Sequence, residues 1–233
     1  AAQHYYLSWS DTFSPTADLY QLSGSAYPPE RGEVAELGAK WLLLDGDLAL
    51  RTALFTAEKT WERSTDLDSP QYAILTKKRR TNGVEVEVAG RITDKWEAFG
   101  GVAFMSAEIL EVAPNANRNN IGQTPRNTPQ QTANLWTTYK LFDGWKIGGG
   151  FESKSERYGY NPAAGGTAAF NPNIAPGYVR WDAMVAYEQP KYKIQLNIQN
   201  VFDKLYYDAI YDNGGFVYVG QPQRFILSAE YKF

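Results

Sequence analysis

Apolar and polar residues alternate with a period of two along most of this chain. In the last segment, 222–233, every second residue from Phe225 onwards is apolar or aromatic, and most of the residues between them are polar. This period is typical of a β-strand with one apolar and one polar face. The same alternation predicts about ten strands in all. They cover residues 3–11, 33–44, 47–63, 82–92, 96–112, 132–141, 145–158, 178–188, 192–207 and 222–233.

The connections between the predicted strands alternate between short and long. Short turns lie at Asp45-Gly46, Asp94, Asp143-Gly144 and Pro190, and longer polar or Gly-, Asn- and Pro-containing segments separate them. Short turns at one rim and long loops at the other are the plan of a transmembrane antiparallel β-barrel of the outer membrane. The spacing therefore predicts an all-β chain whose apolar faces meet lipid and whose polar faces meet the lumen.

The aromatic residues provide a second test of this arrangement. Several lie within a few residues of the short turns, on the apolar face of their strands: Trp41, Trp96, Trp145, Tyr187, Tyr192 and Phe233. Aromatic residues at a common height are typical of the girdle that a membrane barrel places at the lipid headgroups. Their position predicts a lipid interface at the short-turn rim.

Composition agrees with this interpretation and excludes several other classes. Aromatic residues make up 15% of the 233 residues, yet the mean hydropathy is negative, as expected when only alternate strand residues are apolar. No apolar run reaches the length of a membrane helix. The chain has no cysteine, which excludes a disulfide scaffold and thiolate metal sites, and its net charge of −3 gives no electrostatic argument for nucleic-acid binding. No signal peptide is recognised, so we interpret the sequence as a mature chain or a fragment.

Two stretches carry a resemblance to a known family. Residues 197–207, NIQNVFDKLYY, and residues 220–233, GQPQRFILSAEYKF, resemble the late-strand and closing motifs of TonB-dependent outer-membrane receptors. Residues 36–55, 79–96 and 124–141 resemble earlier barrel segments of the siderophore-receptor branch, with the catecholate-type receptors nearest. The resemblance extends over essentially the whole chain.

The resemblance implies a domain organisation. Receptors of this family have a barrel of ~22 strands with a plug domain in the lumen. Residues 1–233 would then be the C-terminal part of that barrel, and the plug domain would be absent from this chain. The resemblance also implies an integral position in the outer membrane of a Gram-negative bacterium, with the long loops extracellular and the short turns and C-terminus periplasmic.

The same resemblance implies a transport function. The expected protein is a receptor that imports ferric siderophores with energy from TonB, without catalytic residues, resident metal or cofactor. Its expected partners are the ferric siderophore as transported ligand, the TonB complex through the missing plug, outer-membrane lipid, and the barrel assembly machinery through Phe233, with no nucleic acid among them.

Candidate ligand-binding residues lie in the long loops. Ferric catecholate complexes are anionic and aromatic, so guanidinium groups beside aromatic rings would bind them through charge and cation–π contact. The candidates are Arg118, Arg126, Tyr158, Tyr160, Tyr211, Phe216 and Tyr218.

Other residues that carry chemistry have simpler explanations. The single histidine, His4, has no partner positioned by spacing for a metal site or a catalytic dyad. Glu85 and Glu87 are two residues apart and therefore share the polar face of one strand, where lumen-lining charges are expected. We accordingly expect no enzymatic site.

Two alternatives from other functional classes stay open at this point. The chain could close by itself as a small outer-membrane barrel that acts as a surface protease, although His4 lies at the rim opposite the loops. It could also be a small barrel that acts as an adhesin through its loops. A soluble β-sandwich is a further structural alternative, which partition into buffer rather than detergent would favour.

Overall fold

The computed structural model describes residues 2–14, 29–63, 74–112, 118–159, 173–211 and 216–233, almost entirely as β-strands. The strands are β1 (Ala2–Ser14), β2 (Glu30–Leu43), β3 (Leu48–Arg63), β4 (Ile74–Thr93), β5 (Trp96–Glu111), β6 (Gln131–Lys140), β7 (Trp145–Lys154), β8 (Arg157–Tyr158), β9 (Ile174–Ala175), β10 (Tyr178–Glu188), β11 (Tyr192–Gln199), β12 (Tyr207–Tyr211), β13 (Phe216–Val219) and β14 (Arg224–Tyr231). No helix in the described ranges is long and apolar enough to cross a membrane.

Ten of these strands form one sheet in the order β1-β2-β3-β4-β5-β6-β7-β10-β11-β14, and all neighbours are antiparallel. The remaining strands make two hairpin-like pairs, β8 with β9 and β12 with β13, between sheet strands at the long-loop end. The sheet confirms the predicted all-β antiparallel fold. Within the described residues, β1 and β14 each pair on one side only, so the sheet has two edges.

The strand register confirms that the two faces differ. In one row across β1 to β4, Leu7 pairs with Leu37, Leu37 with Leu54, and Leu54 with Val84. All four side chains are more than a third exposed, as expected for a face that does not pack against other protein. The opposite face of the same strands carries small residues, the aromatic residues Tyr6 and Phe55, and charged residues that include Glu36 and Glu85.

The polar face is held by ion pairs between strands. The Arg51 guanidinium on β3 lies 3.0 Å from Glu36 on β2, and 3.5 Å and 3.4 Å from Glu85 and Glu87 on β4. It also receives support from the Tyr6 hydroxyl on β1, which donates to Glu36. Opposite charges on neighbouring strands satisfy one another in this way.

Aromatic side chains gather at the short-turn rim on the apolar face. Trp145 and Tyr187 have ring centroids 5.0 Å apart, and Tyr187 lies 6.0 Å from Tyr192. Tyr231 and Phe233 form an edge-to-face pair at 5.2 Å. The band predicted from the sequence is therefore present at one height of the sheet.

The structure differs from the sequence interpretation at the loop ends of several strands. β4 begins at Ile74, whereas the sequence predicts a polar connection to about Arg80. β11 ends at Gln199 instead of Tyr207, because Asn200 has φ 51° and Asp203 φ 46°, values that break an extended strand. The Asn200 side-chain amide donates to the carbonyls of Lys204 (2.9 Å) and Gln221 (3.0 Å), which fixes this turn.

Candidate functional site

Segments from different loops pack together above the long-loop end of the sheet. We call residues 118–130, the β8–β9 pair and the β12–β13 hairpin the loop layer. Residues 118–130 continue beside β5, where the Ile109 amide donates to Gln123 (3.0 Å) and the Gly122 amide donates to Ile109 (2.8 Å). These backbone bonds extend the ordered structure beyond the ends of the sheet strands.

Asn127 joins the three parts of the loop layer. Its amide donates to the Tyr158 carbonyl at 2.8 Å, and its side-chain oxygen accepts from the Ile210 amide at 3.2 Å. Asn127 has φ 47°, in the left-handed region that asparagine tolerates better than most residues. One residue thus connects residues 118–130, β8 and β12.

A pocket of about 350 Å³ lies between the upper ends of β3 and β4 and the loop layer. Its lining residues come from five segments of the chain, namely β3, β4, residues 126–128, β12 and β13. They are Glu62, Arg79, Arg126, Asn127, Thr128, Ala209, Ile210, Tyr211 and Tyr218. Ligand sites combine apolar or aromatic walls with a few polar groups in this way, so this pocket is the candidate functional site.

The pocket combines positive charge with aromatic surface. On one wall, the Arg79 guanidinium forms an ion pair with the buried Glu62 carboxylate at 3.1 Å, while Arg126 is half-buried at another. Tyr211 lines the pocket and packs edge-to-face against Phe216, with centroids 6.4 Å apart. Guanidinium groups and aromatic rings at one site suit an anionic ligand with planar groups.

The structure brings together most of the predicted loop residues that it describes. Arg126, Tyr211 and Tyr218 line the pocket, and Phe216 contacts the Tyr211 ring. Tyr158 joins the loop layer through its carbonyl. Its hydroxyl donates to Glu156 at 2.7 Å, and this bond to a carboxylate raises the pKa of Tyr158.

The other two predicted residues lie elsewhere. Arg118 is exposed in the short 3-10 turn Arg118–Asn120 and does not line the pocket. Tyr160 lies outside the described residues. A binding role for each predicted residue remains a prediction.

Sequence reasoning missed Glu62 and Arg79, which form one wall of the pocket. Lys59 pairs with Arg79, so the two side chains share one face of the sheet. Glu62 lies three residues after Lys59, so strict alternation along β3 would place its side chain on the face opposite Arg79. Trp61, with φ 60°, interrupts the alternation, and the register shifts after Glu62. An irregular strand end of this kind leaves no signal in the period-two pattern.

Comparison with known proteins assigns the family. Residues 3–201 match the family model described as TonB dependent receptor-like, beta-barrel. The chain belongs to this family. TonB-dependent receptors of this kind are outer-membrane β-barrel proteins, which agrees with the apolar outer face and the aromatic band of the sheet.

Relatives of this TonB-dependent receptor chain are named as receptors. The probable TonB-dependent receptor BfrD of Bordetella pertussis is 31% identical over 217 residues, covering 88% of this chain and 28% of BfrD. The catecholate siderophore receptor Fiu of Escherichia coli K12 is 31% identical over 210 residues, covering 89% of this chain and 26% of Fiu. This chain therefore spans only a minor part of the length of these relatives.

Solved structures agree with the family assignment. The siderophore receptor PiuA from Acinetobacter baumannii matches with a TM-score of 0.80 and 26% identity, covering 99% of this chain and 34% of PiuA. The closed form of the ferric-catecholate import receptor Fiu from E. coli K12 matches with a TM-score of 0.78 and 26% identity, covering 99% of this chain and 33% of Fiu. The ten-stranded sheet thus corresponds to part of a receptor barrel.

Proposed function

We propose that this chain is the C-terminal barrel portion of an outer-membrane receptor that imports ferric siderophores. The observation that carries the proposal is the pocket in which Arg126, Tyr211 and Tyr218 meet, in a chain of the TonB-dependent receptor family. The names of relatives, among them a catecholate siderophore receptor, support this class of ligand. Import of this kind moves its cargo without bond chemistry, and the ferric siderophore is a transported ligand rather than a resident cofactor.

The rest of the receptor would complete the barrel. Two observations support a larger barrel of ~22 strands with a plug domain in its lumen. Within the described residues the sheet has edges at β1 and β14, and the chain covers only 28% of BfrD and 26% of Fiu. The polar face of the sheet, including Arg51 and its partners Glu36, Glu85 and Glu87, would then surround the plug. This chain would contribute part of the barrel wall and its loops. Energy from the inner-membrane TonB complex would act on the plug, which belongs to the rest of the receptor.

The orientation follows from the two rims of the sheet. We place the loop layer outside the cell, where it meets the siderophore, and the aromatic band of Trp145, Tyr187 and Tyr192 at the inner-leaflet headgroups. The apolar face of β14, with Tyr231 and Phe233 at the same rim, supports recognition of this strand by the barrel assembly machinery.

Iron uptake tests the proposal directly. The intact receptor that contains this chain is expressed in a Gram-negative strain without its own catecholate receptors, with and without TonB. We expect TonB-dependent uptake of labelled iron from a ferric catecholate. Arg126→Gln should weaken binding by about tenfold or more, because a hydrogen bond to a charged group contributes about 1.5–3 kcal/mol.

The control is Lys204→Gln, an exposed lysine at the same end of the sheet whose side chain does not line the pocket. It should bind like the unsubstituted receptor. Absence of uptake of any ferric siderophore would contradict the proposal. Loop-dependent adhesion or proteolysis without iron uptake would favour the small-barrel alternatives.

A further inference from the structure

We propose that Arg157 is a positioning residue that fixes the β12–β13 hairpin, and with it Tyr211 and Tyr218, at the wall of the pocket. This inference rests on the proposed function, because it concerns the same pocket. Arg157 lies in β8, outside the ten-stranded sheet, and only 1% of its surface is exposed. A fully buried arginine at the loop end of a barrel requires an explanation, since a buried charge is costly unless its donors are satisfied.

The guanidinium of Arg157 bonds to the backbone of two loops. Its Nη1 donates to the Asp208 carbonyl at 2.6 Å, and its Nη2 donates to the Tyr207 carbonyl at 2.7 Å. Nη2 also lies 3.3 Å from the Pro176 carbonyl, next to β9. The planar fork of arginine matches this arrangement, because it presents several donors in fixed directions.

The carboxylate of the same Asp208 is bound by two other side chains. The carboxylate of Asp208 accepts from the Lys154 ammonium at 2.8 Å and lies 3.1 Å from the Tyr178 hydroxyl. The Arg157 guanidinium also lies over the Tyr178 ring, 5.5 Å from its centroid. Asp208 is therefore held by its backbone through Arg157 and by its side chain through β7 and β10.

These bonds act at the base of the hairpin that lines the pocket. Tyr207 and Asp208 begin β12, whereas Tyr211 ends it, and Tyr218 on β13 is the register partner of Ala209. If Arg157 is lost, the carbonyls of Tyr207 and Asp208 lose their buried donor and the base of the hairpin is released. The pocket wall formed by Tyr211 and Tyr218 then loses its fixed position.

The hydrogen bonds of the Arg157 guanidinium lie outside the ten-stranded sheet. Its acceptors are the carbonyls of Tyr207, Asp208 and Pro176, and none of these residues belongs to a strand of that sheet. A substitution here should therefore loosen the hairpin while the barrel stays folded. Regions of one protein can open with different free energies, and hydrogen exchange distinguishes them.

The experiment compares Arg157→Gln with Arg31→Gln in the intact receptor in detergent. Arg31 is an exposed arginine at the same end of the sheet, in β2, and does not line the pocket. We expect amide exchange in residues 207–211 and 216–219 to rise roughly tenfold or more in Arg157→Gln, with the barrel's thermal unfolding unchanged. Affinity for a ferric catecholate should fall roughly tenfold while the maximal uptake rate stays the same. Arg31→Gln should change none of these.

A second variant keeps the test decisive if Arg157→Gln does not fold. Asn127→Gly keeps the left-handed backbone conformation but removes the side-chain bond to the Ile210 amide. It should raise exchange at Ile210 in the same direction by a smaller factor. Unchanged hairpin exchange in a folded Arg157→Gln receptor, or faster exchange with unchanged affinity, overturns the inference. Faster exchange in a receptor that binds no siderophore at all supports the role of Arg157 in fixing the β12–β13 hairpin and contradicts only the proposed ligand.

Discussion

The ten-stranded sheet and the loop layer are stabilised in different ways. In the sheet, backbone hydrogen bonds run continuously between neighbours, and the side chains need only follow a two-face pattern. Outside it, single side chains with specific partners decide the structure. The largest fully buried side chains of the described residues are Arg157, Asn120, Asn200 and Pro125, and none lies in a strand of the sheet.

This difference explains why the two regions respond differently to substitution. A leucine of the outer face can be exchanged for another apolar residue, because its neighbours and lipid impose only hydrophobicity. Arg157 and Asn200 each donate to two or more backbone carbonyls at once, and no other residue type presents the same donors at the same distance from the backbone. The membrane-spanning region therefore tolerates variation that the loop layer does not.

The largest effect we expect comes from substitution of Gly150, a position in the sheet that does not tolerate a side chain. A Cβ at Gly150 would overlap the Leu135 carbonyl oxygen on the neighbouring strand β6. The backbones of β6 and β7 could then no longer pair in their present register, because strand backbone cannot move aside as a side chain can. Gly150→Val should prevent most of the receptor from reaching its folded form in the outer membrane, measured as the fraction that resists unfolding in detergent at room temperature.

The adjacent Gly149 provides the control. A Cβ at this position would have its nearest neighbour at 3.6 Å, which is an ordinary contact distance. Gly149→Ala should assemble like the unsubstituted receptor. Normal assembly of Gly150→Val would show that the close approach of β6 and β7 is not required.

An intermediate effect should distinguish the two faces of the sheet. Leu135 lies on the apolar face of β6, in register with Gly100 and Phe151, and the preceding residue, Asn134, lies on the polar face beside Glu152. Leu135→Arg should lower the free energy of unfolding by about 2–4 kcal/mol, the usual cost of a cation near the middle of the bilayer. Asn134→Arg should cost far less. Equal costs, measured by denaturant unfolding in lipid vesicles, would contradict a lipid contact for the Leu135 face.

The sheet could be predicted from the sequence because its pattern repeats. Strand β10 follows the predicted bounds, and the aromatic residues of the short-turn rim lie where alternation and turn position place them. Each strand supplies the same period-two pattern, so an error in one strand is corrected by its neighbours. The predicted start of β4 and the predicted end of β11 were wrong, because polar strand extensions and residues with left-handed backbone conformation do not follow that period.

The loop layer could be predicted only as a set of residue types. Arginine and tyrosine in long loops indicated an anionic ligand, and Arg126, Tyr211 and Tyr218 do meet in one pocket. Nothing in the sequence indicated that Arg157 would connect β8 to β12, because its partners Tyr207 and Asp208 lie 50 and 51 positions further along the chain. Contacts of this kind depend on the final positions of several loops and not on local pattern.

The smallest effect we expect is a loosening of the hairpin by acid without a change in the sheet. The Lys154 ammonium, which donates to Asp208, holds the pKa of this carboxyl below its ordinary value of 3.8, and Tyr178 adds to this effect. The stabilisation is therefore complete above the ordinary pKa and is lost as the pH falls through the lowered one. Asp208 is more than half exposed, so solvent screens the pair and the effect should be a few-fold at most.

Cleavage by pepsin, an acid-active protease, measures this effect on the intact receptor. Cleavage within residues 207–211 and 216–219 should accelerate a few-fold as the pH falls below about 3.8, beyond the change in pepsin activity on an unfolded peptide. Asp208→Asn lacks the titrating carboxyl, so its hairpin should already be cleaved faster near pH 4 and should show no further change. If both receptors showed the same pH dependence, the Lys154–Asp208 pair would not contribute to holding the hairpin, and Arg157 and Asn127 would fix its position alone.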